Sequence, residues 1–414
     1  MAFSVTQRVI SSEDMIYSYC DDFCRKAKLL YNAALFRIRN IFTGYEKEHR
    51  TDNEEDIFVK QYGPKTTTPA NTSLFHSWDT MILPRGEGLA SDVGCALQPV
   101  WEMIGLYEMP AIKDAEGKPI RFNSVDELWN TDEMEARCRA NFFFPGMTES
   151  VSGVSIDIRG GVYKEYPGLA SDGESEIPGS INDYTDTYRV RAASPGETQV
   201  INGQSVQVSG KHGLAEGTGD EGYSRTGAFI RKYVNYNTDA SSRVLHGSSQ
   251  SWKVFRYGEI LLNWAEAAYE LGLIKNDNNL KREAFDHINE IRDRAGAHRH
   301  DMVESPQDIG SEIYGFPIDE NLQYIRDERA RELCYENHRI FDLRRWRVAD
   351  IMFQNGMYTH TLLPYYVMDE NKWIFLNEVE REGRKVTFEK RWYYEQIPSG
   401  EIGKNPNLIR NDGY

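Results

Sequence analysis

Glu328, Glu332 and Glu336 recur at four-residue spacing within a charged stretch that runs from Arg326 to Trp346. On a helix that spacing puts all three carboxylates on one face. Two carboxyl groups held across a cleft are the working parts of a glycoside hydrolase, one as acid and one as nucleophile or base. A hydrolase using Glu328 and Glu332 is therefore one reading of the stretch. The acid in such a pair needs a raised pKa. Here Arg326, Arg329, Arg331, Arg339, Arg344 and Arg345 are interleaved with the acids, and nearby cations lower a carboxylate's pKa. An ion-pair network between helices is the better expectation, and no catalytic residue is assigned.

Other chemistry-bearing patterns are sparse. His298 and His300 form a His-x-His pair with no evident third ligand, which reads as a solvated loop and not a metal site. The chain has no Gly-rich phosphate loop, nucleophile elbow or HExxH motif. Cys20, Cys24, Cys95, Cys138 and Cys334 are odd in number and scattered. That excludes a disulfide framework, and Cys20 with Cys24 lacks a second pair to complete a zinc site. Buried thiols are expected. Asn71-Thr72-Ser73 matches a glycosylation sequon by pattern alone. No cofactor and no metal are expected.

The aromatic residues are more informative: 24 Tyr, 18 Phe and 8 Trp, 12% of the chain. Trp264 and Trp346 fall on helix faces and read as core. Trp78, Tyr163, Tyr166, Tyr184, Tyr188 and Tyr223 stand in polar, Gly-rich surroundings where burial is harder. Large amphipathic rings suit surfaces that stack on partly apolar partners. Sugar C–H faces stack on flat rings while neighbouring polar groups bond the hydroxyls. The loops 70–90 and 160–225 are thus the expected ligand surface, with Asn182, Asp183 and Arg189 as hydroxyl partners.

Charge narrows the partners. Lys plus Arg is 48 and Asp plus Glu is 64, a balance of −16. That argues against a general nucleic-acid binder, whose affinity comes from cations on phosphates, and against a polybasic membrane-surface protein. No apolar run approaches the roughly 18 residues of a membrane span. Before Ser12 there is no basic segment followed by an apolar one, so no signal peptide is visible. This fits either a cytoplasmic chain or one whose natural start is missing.

These residues need elements to hold them. Ser12 to Gly44 reads helical, with Ala27, Leu30, Ala34, Ile38 and Ile41 on one face. Residues 51–99 read as long ordered loop, followed by a short helix carrying Trp101, Ile104 and Tyr107 and a capped helical piece at Ser124–Trp129. Residues 150–250 are irregular, with alternating pieces at Val151–Ile158 and Thr198–Val208. Asn202-Gly203 predicts a hairpin inside the second piece. Then Val254–Leu271 predicts a helix stopped by Gly272, and Leu280–Ala295 a helix stopped by Gly296. A helix capped by Asp319 is expected to reach Glu336, and another to span His338–Phe353. Aromatic strands or loops follow beyond Tyr365. The fold class is mostly α, with αα-hairpins of tetratricopeptide type, a large loop-rich region and a few short strands. A tetratricopeptide-type protein–protein scaffold is a second alternative function. Three parts are expected: 1–50 helical, 51–250 loop-rich and ligand-carrying, 251–414 helical.

The stretches RYGEILLNWAEAAYELG, INEIRDRAGA, IRDERARELCYENHRIFDLRRW and IPSGEIGKNPNLIRNDGY occur in that order. Together they resemble the SusD/RagB family of outer-membrane glycan-binding lipoproteins. LQPVWEMIGLYEMPAIKDAEGKPI followed by ARCRANFFFPG is similar to the family's middle part, with Glu135-Ala136-Arg137 where the family has Asp-Pro-Arg. The resemblance implies a superhelix of tetratricopeptide-type helix pairs covered by an irregular ligand-holding region. It implies glycan binding without cleavage, on the exposed surface of the outer membrane through a lipid anchor, as the lid of a SusC-like TonB-dependent transporter. The chain resembles roughly the C-terminal three quarters of such a protein.

Overall fold

The computed structural model describes residues 55–62, 75–91, 93–166, 188–190, 192–213, 222–236, 241, 243–353, 357–379, 385–405 and 407–414. The expected helix at 12–44, Cys20, Cys24, the sequon, Asn182, Asp183 and Tyr184 lie outside the described residues. Among those described there are ten α-helices and twelve short strands. Most helices are single turns; the helical mass sits in three.

Tyr257–Lys275 and Asn278–Ala295 form an antiparallel hairpin, and Glu320–Glu332 packs against the first of them. Leu261, Leu262, Ala265 and Tyr269 meet Ala284, Phe285, Ile288 and Ile291, with Leu322 and Ile325 closing the core. The sequence places these faces correctly, because apolar residues three and four apart share one side of a helix. The expected stop at Gly272 is instead inside the helix, which ends at Asn276 in the left-handed region with φ 51°. Gly272 serves the turn differently. A Cβ there would stand 2.9 Å from the Asp277 carbonyl oxygen, so its absence lets the second helix approach. The side chain of Asp277 caps that second helix by accepting from the Asn279 N–H at 2.8 Å. Asp319 caps the third by accepting from the Leu322 N–H at 2.8 Å.

The expected second long pair does not form. The third helix ends at Glu332, four residues short of the expected end, and Tyr335 and Asn337 follow with φ 59° and 67°. Instead of one helix across His338–Phe353, two short ones, Arg339–Arg345 and Ala349–Met352, are separated by Arg347 at φ 61°. Left-handed backbone cannot continue an α-helix. One long pair, not a repeated series, is what the described residues contain. Ser124–Trp129 is a run of turns, not a helix.

The strands make one larger sheet. Its order is Lys372–Val379, His360–Val367, Gly161–Tyr163, Arg189–Val190. The first pair is an antiparallel hairpin; Tyr365 then runs parallel opposite Gly161. The sheet thus draws strands from both sides of residue 250. Thr198–Ile201 and Gln204–Gln207 form the predicted hairpin, with Asn202 and Gly203 both at positive φ. The alternating piece at Val151–Ile158 contributes only an isolated bridge from Ser155 to Thr148. A separate ribbon pairs Asp56–Lys60 with Trp252–Arg256. A second core joins the loop-rich region to the hairpin 360–379: Trp129 stacks on Phe144 at 4.2 Å beside Phe122 and Phe375.

Candidate ligand-binding surface

The glutamate ladder is sealed. Glu328 is 0% exposed. Its carboxylate accepts from Arg137 Nη1 at 2.7 Å, Arg292 Nη1 at 2.9 Å and Arg331 Nε at 2.9 Å. Glu332 accepts from Arg137 at 2.9 Å and from Arg256 at 2.6 Å, and also pairs with Arg294. Glu336 holds Arg256 Nε at 2.8 Å and Lys232 Nζ at 2.7 Å. Burial alone would raise all three carboxyls. The surrounding guanidinium and ammonium groups outweigh it, holding Glu328 and Glu336 at about 2 and Glu332 well below its ordinary value. Such carboxylates stay ionised and have no proton to donate. The network was expected, but its main partners were not. Arg137, Arg256, Arg292 and Arg294 come from other elements, and only Arg331 comes from the glutamates' own helix. The sequence cannot show which distant arginine faces inward.

The expected ring residues divide into groups. Tyr163, Tyr166 and Arg189 come together on one face of the sheet. Tyr163 is fully buried, edge-on to Tyr166 at 5.3 Å and to Tyr365 at 5.4 Å. Arg189 is buried too; its Nη2 donates to the Tyr365 hydroxyl at 2.8 Å, and its guanidinium lies 4.7 Å from that ring. The close fit needs Gly160, where a Cβ would stand 2.3 Å from the Tyr365 ring. Tyr163 and Arg189 therefore lie in the wall behind the surface. Tyr166 is half-buried, and the Arg121 guanidinium sits 5.0 Å from its ring. Arg121 is held in turn by Glu370, at 2.5 and 2.9 Å. Tyr188, just before the strand Arg189–Val190, is 42% exposed, unlike the buried Arg189.

Trp78 belongs to a second ring group, 5.6 Å from Trp252 and 6.3 Å from Tyr335, with its indole N–H donating to the Lys232 carbonyl at 2.9 Å. Trp252 stacks on Tyr233 at 4.8 Å. Tyr223 is half-buried and offers its carbonyl to Gln98 Nε2 at 3.0 Å.

Arg121, Glu370, Tyr365 and Trp252 were missed by the sequence reasoning. Tyr365 had a signal in the run LLPYYV, where alternation separates Tyr365 from Tyr366. Arg121 and Glu370 had none, being ordinary charges until folding pairs them. His298 lies in a loop and contacts Glu108 at 3.2 Å, and His300 stacks on Tyr324 at 3.6 Å. No group of metal-binding side chains occurs among the described residues. Cys95, Cys138 and Cys334 are free and buried. No helix among the described residues is long and apolar enough to cross a membrane.

The chain is similar to a SusD-like protein of Formosa agariphila, 26% identical across 42% of this chain and 33% of that relative. It is also similar to a solved SusD-like protein from Bacteroides fragilis, at 21% identity and TM-score 0.49, covering 90% of this chain and 58% of that one. A surface glycan-binding protein A from Bacteroides fluxus aligns at 16% identity and TM-score 0.43, covering 97% and 60%. The chain therefore spans less than two thirds of the length of each of these relatives. The model that defines the SusD family matches residues 54–414, and the chain belongs to that family.

Proposed function

We propose that this chain binds glycans without cleaving them, at the cell surface of an outer membrane, for delivery to a TonB-dependent transporter. Membership of the SusD family supports this class. The observation that carries the reading is Tyr166, a half-buried ring beside the Arg121–Glu370 pair. A sugar can stack its C–H face on this ring and bond its hydroxyls to the two charged groups. Tyr163 supports the ring edge-on and Arg189 braces Tyr365 behind it, and Asn182, Asp183, Tyr184 and Tyr188 belong to the chain segment that leads into Arg189. Trp78 and Tyr223 contribute as a separate part of the ligand surface. The sealed, arginine-bound state of Glu328 and Glu332 favours a binder over the hydrolase that would use them.

A glycan array on the full chain tests the reading, followed by titration of the best hit against Tyr166→Ala and by product analysis. Retained wild-type affinity in Tyr166→Ala moves the site elsewhere. Released oligosaccharide that disappears in a folded Glu328→Gln variant would establish the hydrolase instead.

A further inference from the structure

Arg347 occupies an unusual position. It follows the helix Arg339–Arg345 and takes φ 61°, the left-handed region that glycine usually fills at a helix end. The turn closes normally: Val348 N–H donates to the Leu343 carbonyl at 3.0 Å and Arg347 N–H to that of Arg344 at 3.2 Å. A side chain in this region is disfavoured, and such residues cluster at functional sites. The exposed guanidinium of Arg347 lies 4.3 Å from the ring centre of Tyr393 and 5.1 Å from that of Tyr394.

The surroundings are already paired. Tyr393 donates its hydroxyl to Asp350 at 2.5 Å, which fixes the ring. Lys390 faces Asp350 at 3.8 Å, Arg391 holds Glu389 at 2.7 Å, and Arg344 reaches Glu395 at 3.2 Å. Among the described residues Arg347 has no carboxylate partner. Three other ring-stacked arginines, Arg121, Arg345 and Arg391, each hold a carboxylate as well. Beside Arg347, Tyr394 is 58% exposed. An unpaired guanidinium, pre-set against two rings, suits an anion from outside. Its planar fork suits a carboxylate or sulfate.

We infer that Arg347 and Tyr394 form a second binding site, for an acidic sugar. The sugar's carboxylate or sulfate ester enters the guanidinium fork, and its C–H face stacks on Tyr394. This site rests on the glycan-binding reading but shares no residue with the Tyr166 surface.

The test is calorimetric titration of the full chain with tetragalacturonate, its neutral methyl ester, a sulfated galactan tetrasaccharide and hexaglutamate. The variants are Arg347→Gly, Tyr394→Ala and Tyr166→Ala. Wild type should prefer at least one charged saccharide over the neutral ester by about tenfold or more, and the preference should weaken as salt rises. Arg347→Gly should abolish the preference with Tm no lower than wild type, because glycine suits φ 61° better. Tyr394→Ala should weaken the same saccharide, and Tyr166→Ala should leave the preference intact. No charge preference in wild type, or a preference that survives Arg347→Gly, overturns the site. Arg347-dependent binding of hexaglutamate alone overturns it in favour of an acidic peptide. If the neutral array hit still binds through Tyr166, only this site has failed; if no saccharide of any kind binds, the glycan-binding reading has failed too.

Discussion

The carboxylate of Glu55 accepts a hydrogen bond from the backbone N–H of Gly258 at 3.0 Å, across a sequence separation of 203 residues. The Glu55 carbonyl takes the neighbouring Tyr257 N–H at 2.9 Å. Glu55 thus caps the helix Tyr257–Lys275 from a distant ribbon, and an acid there also complements the helix dipole. The same carboxylate holds Arg256 Nη1 at 2.7 Å and Arg294 at 2.5 Å.

Glu55→Ala should therefore cost more than a lost cap. Removing one partner of a buried pair costs about 3–5 kcal/mol, and here Glu332 and Glu336 remain to share Arg256. A loss of about 2–4 kcal/mol in urea unfolding is expected. A change below ~0.5 kcal/mol would show that the cap is dispensable.

Acid should unfold the protein early. Glu328 and Glu336 titrate at about 2 in the folded chain, against 4.5 as their ordinary value. Groups with depressed folded pKa stabilise above the unfolded value and lose that contribution as pH falls towards the folded one. The urea midpoint should hold from pH 7 to about 5 and then drop steeply between about 4.5 and 2. A flat profile across that window would contradict the ion network.

Tyr166→Ala should weaken the best glycan. Base–ring stacking on nucleic acid is worth about 1–3 kcal/mol per ring, and a similar order for a sugar gives roughly a 5- to 150-fold rise in Kd. Circular dichroism and Tm should stay near wild type, since Tyr166 is half-buried and Tyr163 keeps its contact with Tyr365. Unchanged affinity argues against the ring.

Asp319→Ala removes two bonds at once: the Leu322 N–H cap and the Tyr269 hydroxyl, which donates to Asp319 Oδ2 at 2.9 Å. The expected loss is about 1–3 kcal/mol, read from thermal unfolding. Asp319→Asn should recover part of it, because an amide oxygen can still cap.

The long helices and the Asn202-Gly203 hairpin were legible because their signals are local: periodicity, Asp319 before a helix, Gly296 after one. The broken helix at Arg347 was not, because nothing in Arg-Trp-Arg-Val announces left-handed backbone. The four-stranded sheet was not legible either. Gly161–Tyr163 is too short to show alternation, and its partner lies near the other end of the chain. For the same reason Tyr163 looked like a loop ring, although the sheet makes it a core ring. The glutamate network was legible in kind, since acids interleaved with arginines argue for pairing. Its partners needed the fold, because Arg137 and Arg256 carry no local mark of pointing inward.

The pairing of Gly161 with Tyr365 bears on how the chain is made. Synthesis runs from the N-terminus, and domains settle as units once their parts have emerged. The strands Gly161–Tyr163 and Arg189–Val190 leave the ribosome long before the hairpin they join. The helix pair 257–295 can close on itself meanwhile, since its contacts are local. The ring-bearing middle of the chain must wait for His360–Val379 and then accept a distant, slow pairing. A truncation before residue 360 would leave Tyr163 and Val162 without the strand beside them, so this sheet, though its first strands emerge early, is what an unfinished chain cannot complete.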